Sequence, residues 1–272
     1  MKLLLASLAG FVLAAGAQGT PPGSMCGMAP NEDQMAAQRA VAAAERSGPR
    51  AVGDPATVVH VDTWLHVVAK SKAVEDGWIS DENLHAQMAQ INLDFAPARI
   101  SFTLVGINRI VNASWSTWVP WDSSSRTSLE MGQALRKGNY STLNIYYVSN
   151  MTAPNLLGWC NYPCQGCDSG RKLWQDGCVL VHDTVAGGSR KNANTGKMAT
   201  HEIGHWFHLF HTFENGCTGE GDFVDDTPYV ARPNFGCPEG VESCGGACSK
   251  LSISESLCGP DPIHNYMDYT DE

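Results

Sequence analysis

The sequence is poor in basic residues and in long apolar runs. Lysine and arginine together number 18 among 272 residues, against 28 aspartates and glutamates, so the formal charge is -10 at pH 7. A chain this acidic is a poor partner for nucleic acid or for an anionic membrane. After the N-terminus, no run reaches the ~18 apolar residues that a transmembrane helix needs. We therefore expect neither nucleic-acid nor membrane binding.

The marked apolar stretch lies at residues 1–17. Lys2 precedes a leucine-rich run, and the Ala-Gly-Ala at 15–17 provides small residues for cleavage. This pattern is typical of a secretory signal peptide and is too short to span a membrane. We therefore expect a secreted, extracellular protein.

Residues 18–52 follow as a propeptide-like segment. They are rich in alanine, proline and glycine up to about Arg50, with one helical pattern from Asp33 to Arg46. Because this segment has few large apolar side chains, it cannot form a hydrophobic core of its own. We expect the folded domain to occupy residues 53–272.

Ten cysteines in a secreted chain indicate disulfides. Four of them form a cluster in the sequence: Cys160, Cys164, Cys167 and Cys178. The cluster contains a C-x-x-C spacing that would also suit structural zinc, but an oxidising compartment favours disulfides. Their connectivity cannot be read from the sequence. Three Asn-x-Ser/Thr triplets, at Asn112, Asn139 and Asn150, would become accessible to glycosylation.

The segment His201-Glu202-Ile203-Gly204-His205 has the H-E-x-x-H spacing. Residues four apart share a helix face, so His201 and His205 can bind one ion. Catalytic zinc takes three protein ligands and leaves a position for water. His211 is the predicted third ligand, and Glu202 is the predicted general base. Because His211 lies six residues beyond His205, the helix must end near position 208 and turn back.

A methionine-bearing segment, Asn265-Tyr266-Met267-Asp268-Tyr269, follows the zinc motif. It fits the Met-turn that lies under the zinc site of metzincins. We expect Met267 to pack beneath the metal and not to bind it.

The pattern from Thr57 onward predicts an α/β (α+β) domain. Apolar residues alternate from Val59 to Val67, so His60 and His66 are interpreted as strand residues. Ser80 is the predicted cap of a helix, and further strands are predicted at 100–104, 143–148 and 178–182. The zinc helix begins near Lys197. We expect a twisted mixed sheet with the metal above it and a loop-rich, disulfide-tied lower subdomain after Gly216.

From about residue 55 to the C-terminus, the sequence resembles the secreted fungal metalloproteases of the pappalysin (cytophagalysin) family, which are metzincins. Three segments carry the resemblance: H-E-I-G-H-W-F-H-L-F-H-T-F at 201–213, V-D-D-T-P at 224–228 and N-Y-M-D-Y at 265–269. It implies a metzincin-type zinc peptidase domain that acts on proteins or peptides, and we expect a monomer.

Two departures from the family pattern stand out. The family has glycine at the position of His208, where the backbone leaves the helix in a conformation that glycine reaches most easily. Histidine also tolerates positive φ, so the turn is strained but feasible, and the alternative is that His208 joins or displaces a ligand. The family also continues past the Met-turn with a cysteine and a helix. Either that helix is dispensable here or the sequence is incomplete.

The resemblance bears on three cysteines. Proteases of this kind are held latent by a cysteine thiolate at the open zinc position, and Cys26 would take this role. The alternative is an ordinary disulfide at Cys26. The resemblance pairs Cys217 with Cys244 and leaves Cys237 without its usual partner.

Two more features carry open alternatives. Tyr269 stands where some metzincins place a tyrosine that stabilises the oxyanion, and the alternative is a packed aromatic. The family binds calcium near an oxygen-rich loop here, formed by Asp222, Asp225, Asp226 and Thr227, whose hard donors would suit Ca²⁺. Acidic surface loops are also common without an ion.

The sequence therefore predicts a secreted zinc endopeptidase. The alternative is a catalytically inactive binding protein on the same fold, which His208 and the missing C-terminal helix would support. A zinc hydrolase acting on other substrates is disfavoured by the third histidine and the Met-turn.

Overall fold

The computed structural model describes residues 25–47, 57–120, 125–153, 155–251 and 257–271. The predicted signal peptide lies outside the described residues, and the propeptide-like segment is described only at 25–47. Within these ranges, no helix combines the length and apolar character needed to cross a bilayer.

Strands in the described ranges belong to two sheets. They are β1 (Val59–Ala69), β2 (Ile100–Val111), β3 (Thr117–Trp118), β4 (Leu143–Val148), β5 (Asn150–Met151), β6 (Gly158–Cys160) and β7 (Cys178–Val181). The five-stranded sheet has the order β2-β1-β4-β7-β6, and β3 pairs with β5 in the other. Neighbours are parallel except β6, which runs antiparallel to β7 at the edge. The predicted mixed sheet is confirmed.

The helices are α1 (Glu32–Ser47), α2 (Asp81–Phe95), α3 (Arg126–Leu135), α4 (Gly170–Trp174), α5 (Lys197–Trp206) and α6 (Gly245–Leu251). Short 3₁₀ turns occupy Val74–Asp76, Ala96–Ala98 and His182–Thr184. Ser80 caps α2 as predicted, because its hydroxyl accepts the Asn83 N–H at 3.1 Å. The predicted helical pattern at 33–46 is α1.

Apolar side chains cover both faces of the large sheet. One face packs against α2 and α5, with Leu65, Leu84, Ile91, Ile145 and Ile203 fully buried. The other face packs against α3 around Trp118, Met131, Tyr146 and Val148. All six residues of β4 are buried, as expected for a central strand covered on both sides.

Four disulfides tie the loops. Cys160–Cys178 joins β6 to β7, and Cys164–Cys167 closes the loop after β6. In the lower subdomain, Cys217–Cys244 confirms the pairing that the resemblance implies, and Cys248–Cys258 closes the insertion. Cys237 is exposed and free.

His66 is a core residue of β1. Its Nε2–H donates to Asn144 Oδ1 at 3.0 Å, and the Asn108 amide donates to its Nδ1 at 3.1 Å. The Asn144 amide is oriented by its own bonds to the carbonyls of Lys137 and Thr142, so His66 must donate to it. Burial lowers the pKa of His66 to about 4. The expectation that this histidine is a strand residue is confirmed.

We predict that His66 makes the protein less stable in acid. Its pKa is lower in the folded state than in the unfolded state, so the unfolded chain binds an extra proton between pH 6.5 and about 4. Stability present above pH 6.5 is therefore lost as the pH falls, by about 3 kcal/mol. In His66→Gln, the difference between urea unfolding free energies at pH 7 and pH 4 should shrink by this amount. His60→Gln, an exposed change on the same strand, is the control, and an unchanged difference in His66→Gln would contradict the prediction.

Candidate active site

Helix α5 brings the predicted metal-binding residues together. It begins after Gly196, whose φ of 90° lies in the left-handed region and whose carbonyl accepts a bond from Gln87 of α2 at 2.9 Å. From Met198 to His205 every residue of the helix is buried. His201 and His205 share one face because they lie about one turn apart.

The chain turns back after α5, as the position of His211 requires. The N–H of Phe207 bonds to the Ile203 carbonyl at 3.0 Å, and that of His208 bonds to the His205 carbonyl at 2.8 Å. His208 has a φ of 73°, in the left-handed region, which reverses the chain and returns His211 to the site. The strained turn that the sequence predicts is therefore present.

The side chain of His208 packs against aromatic rings. Its half-buried ring packs against Tyr162 and Phe210, with centroids 5.8 and 5.5 Å away. It is not part of the ligand cluster described next.

Four potential metal-ligand atoms converge beside α5. They come from Cys26, His201, His205 and His211, and they lie within 4.8 Å of one another. Nε2 of His205 is 3.2 Å from Nε2 of His211 and 3.3 Å from Sγ of Cys26. Within the described ranges, this is the single group of three or more histidine, cysteine or acidic residues suited to a metal.

The outer nitrogens of the three rings fix their tautomers. Nδ1 of His201 bonds to the Tyr266 carbonyl at 2.5 Å, and Nδ1 of His205 to the Leu209 carbonyl at 2.8 Å. A carbonyl can only accept, so each Nδ1 carries the proton and each Nε2 presents a lone pair inward. Nδ1 of His211 lies 2.9 Å from the Glu214 carboxylate, so this ring also presents Nε2 inward. Burial lowers the pKa of His201 to about 4 and those of His205 and His211 well below the usual value, so all three rings are neutral.

These residues fit a cation. Nε2 of His201 is buried without a hydrogen-bond partner among the described residues. Lone pairs from neutral rings that face each other at 3.2 Å repel unless a positive charge lies between them. Imidazole and thiol ligands suit zinc in a tetrahedral site.

Glu202 lies beside the cluster and is fully buried. Burial raises its pKa to about 8. The carboxylate lies against β6 at Gly158, where a Cβ atom would come within 2.2 Å of Oε1. A glycine in the edge strand therefore leaves the room that this carboxylate occupies.

Met267 packs beneath α5, as predicted. A Cβ at Gly204 would lie 2.3 Å from its sulfur, so the helix needs glycine there. The Met267 carbonyl accepts the Thr212 N–H at 3.2 Å, which ties the turn to the segment that carries His211. The sulfur is outside the ligand cluster.

Tyr269 reaches the cluster. Its hydroxyl donates to the Cys26 carbonyl at 3.0 Å and lies 3.3 Å from Nε2 of His211. The structure therefore brings together every residue that the sequence nominates for the site: Glu202 and Tyr269, with His201, His205 and His211.

The segment around Cys26 covers the site like an added strand. The Met25 carbonyl accepts the Leu157 N–H at 2.8 Å, and the Gly27 N–H donates to the Gly158 carbonyl at 3.3 Å. Cys26 itself pairs with Gly158 in parallel orientation. Burial, and next the charge of Glu202, raise the pKa of its thiol.

Helix α1 continues from this segment onto the lower subdomain. Arg39 pairs with Glu220 at 2.6 Å, and Arg46 pairs with Asp225 at 2.7 Å. All four side chains are about half exposed or more, so each pair contributes little.

The oxygen-rich loop shows no converging carboxylates within the described residues. Burial raises the pKa of Asp222 to about 7, and its carboxylate accepts the Val224 N–H at 3.0 Å. The calcium site therefore stays a prediction.

Sequence reasoning missed two parts of the site. The edge strand β6 is three residues long and shows no alternation that would predict it. The other part is Glu214, whose carboxylate lies 2.9 Å from Nδ1 of His211. Its spacing of three residues after His211 was the available signal.

The zinc-motif helix, the third histidine after a tight turn and the methionine beneath them define the metzincin class of metallopeptidases. Comparisons with known proteins agree with this class. Residues 136–272 match the family Peptidase_M43, described as pregnancy-associated plasma protein-A. The chain belongs to this family.

Fungal relatives span most of the chain. Extracellular metalloprotease 1 of Coccidioides posadasii (strain C735) is 40% identical over 245 residues, covering 90% of this chain and 81% of that protein. An extracellular metalloprotease of Pyricularia oryzae is 41% identical over 245 residues, covering 89% and 80%. These matches identify the chain as a zinc-dependent metallopeptidase.

A solved structure shares the fold. The mature mirolysin of Tannerella forsythia, in complex with a cleaved peptide, superimposes with a TM-score of 0.60 at 24% sequence identity. The match covers 80% of this chain and 86% of that chain. This likeness concerns the fold alone.

We predict that His208→Gly is more stable than His208→Ala. Both changes remove the ring, but alanine at a φ of 73° keeps the left-handed strain that glycine relieves, which is about 1 kcal/mol. Urea unfolding of the two variants measures the difference. Equal stabilities would contradict a strained turn at this position.

Proposed function

We propose that the protein is a secreted zinc endopeptidase whose ion is held by His201, His205 and His211. The observation that carries the proposal is the convergence of buried imidazole lone pairs, with the outer nitrogens of the rings bonded to acceptors. When bound, a zinc ion supplies Lewis-acid chemistry, lowering the pKa of water and polarising a peptide carbonyl.

Glu202 is the proposed general base. It lies one residue from His201 on the same helix, and it is buried in a site that excludes bulk water. Its carboxylate takes the proton of the attacking water and delivers it to the leaving amine as the peptide bond breaks.

Tyr269 is the proposed stabiliser of the oxyanion. In the structure its hydroxyl donates to a peptide carbonyl, that of Cys26, directly beside His211. A substrate carbonyl in a similar place would receive the same hydrogen bond, and the bond would strengthen as the oxygen gains negative charge.

Cys26 is the proposed latency residue of a prosegment at residues 18–52. Its sulfur lies at the histidine cluster, and its backbone occupies the edge of β6. A thiolate is a strong zinc ligand, so it would fill the position that water needs. The same contacts close the cleft to an extended peptide. Removal of the prosegment from the catalytic domain, residues 53–272, would free the metal position for water and open the cleft to the substrate.

A cavity of ≈ 250 Å³ beside His201 is the proposed pocket for one substrate side chain. Its lining comprises Met25, Cys26, Lys197, Met198 and His201, with residues 263–266 and 268–271. It lies next to the histidine cluster, where a residue adjoining the cleaved bond would be placed.

The proposed location is extracellular. Support comes from the signal-peptide pattern at 1–17, the four disulfides and the relatives named extracellular metalloproteases. The inactive binding protein is not favoured, because His208 forms the turn and is not part of the ligand cluster.

We predict that Glu202→Gln abolishes hydrolysis and keeps zinc. Loss of a general base should slow casein hydrolysis by at least ~100-fold, while the three imidazoles still bind one zinc per chain. Zinc content and casein hydrolysis are measured after removal of the prosegment. Glu130→Gln, on the far helix α3, is the control. Full activity of Glu202→Gln would overturn the assignment, and a wild type without zinc would overturn the proposed function.

We predict that Cys26→Ser activates the full chain. A serine hydroxyl is a much weaker zinc ligand than a thiolate, so the variant should hydrolyse casein at least ~10-fold faster than the wild type before any prosegment is removed. Cys237→Ser, at the exposed free cysteine, is the matched control and should stay latent. If Cys26→Ser is as inactive as the wild type, the thiol is not required for latency and the backbone pairing of the segment is sufficient to block the cleft.

A further inference from the structure

The three clustered histidines differ in what holds their outer nitrogens. His201 and His205 donate to backbone carbonyls, of Tyr266 and Leu209. His211 instead faces the carboxylate of Glu214, with Nδ1 2.9 Å from Oε1. The ring that follows the turn therefore has a charged partner, and the two rings on α5 have neutral ones.

His211 also needs more side-chain support than the other two. It lies outside α5, so no helix fixes its direction. Phe213 stacks on its ring with centroids 4.8 Å apart and planes within 8°, and the Tyr269 ring meets it edge-on at 5.0 Å. These contacts fix the plane of the ring but do not determine which nitrogen carries the proton. The bond to Glu214 does.

Glu214 is well placed for this task. Its N–H donates to the His211 carbonyl at 3.1 Å, so backbone and side chain close one compact turn. The carboxylate side chain is 20% exposed and that of His211 is 1% exposed, so the bond is shielded from water. Within the part of the chain that the structure describes, the side chain paired with Glu214 is the neutral ring of His211, and no lysine or arginine forms an ion pair with its carboxylate.

We propose that Glu214 is a positioning residue of the metal site. Its carboxylate accepts the Nδ1–H of His211, which directs Nε2 to the ion and makes the imidazole a more basic ligand. The negative charge also offsets part of the positive charge that three neutral rings leave on a divalent ion. This inference rests on the proposed function, since it requires that the histidine cluster binds zinc.

The test measures zinc affinity and not catalysis. The full chain carries Glu202→Gln to prevent self-cleavage, and the zinc dissociation constant is determined by competition with a chromogenic chelator. Glu214→Ala should raise the dissociation constant 10–100-fold. Glu214→Gln should have a smaller effect, because the amide oxygen still accepts the bond without the charge. Glu239→Ala, at an exposed glutamate of the same subdomain, is the control and should change nothing.

A second readout separates positioning from folding. Nitrogen-15 NMR of the histidine rings should show His211 with its proton on Nδ1 in the parent and in Glu214→Gln, and a mixture of tautomers in metal-free Glu214→Ala. If Glu214→Ala does not fold, Glu214→Gln decides the question through its dissociation constant. An unchanged constant in every folded Glu214 variant overturns this proposal, whereas a parent that binds no zinc overturns the proposed function itself.

Discussion

The structure depends on one electrostatic constraint: buried lone pairs face each other and need a cation between them. Each of the three imidazoles has its other nitrogen bonded to an acceptor, so none can turn a proton inward. Burial keeps the rings neutral, because it disfavours imidazolium. The arrangement is therefore suited to hold an ion, and the surrounding fold offsets the free-energy cost of keeping the three rings in place.

Helix α2 and the Met-turn hold α5 in place. Asp94 of α2 accepts the Thr200 hydroxyl at 2.6 Å and the Tyr266 hydroxyl at 2.9 Å. Tyr266 in turn offers its carbonyl to His201. Asp94 thus links α5 to the Met-turn, and the helix and the turn together orient His201.

Sequence patterns predict what depends on local periodicity. Alternation from Val59 predicts β1, the Ser80 cap predicts the start of α2, and the histidine spacing predicts the end of α5 within two residues. The edge strand β6 escapes prediction because its pairing is made by β7 and by Cys26 across the fold. The Cys160–Cys178 connectivity likewise depends on tertiary contacts.

Residues 25–47, which cover the site, are anchored very differently at their two ends. Of the 16 residues of α1, Gln38 and Ala42 are buried, and its ion pairs are exposed to solvent. The Cys26 end has backbone pairing, a buried thiol and a tyrosine hydroxyl bond. Regions with few buried contacts open at low free-energy cost. Under the proposed latency mechanism, we therefore expect α1 to open at a lower free-energy cost than the Cys26 end. The backbone of α1 would then be exposed to cleavage before the cysteine leaves the site.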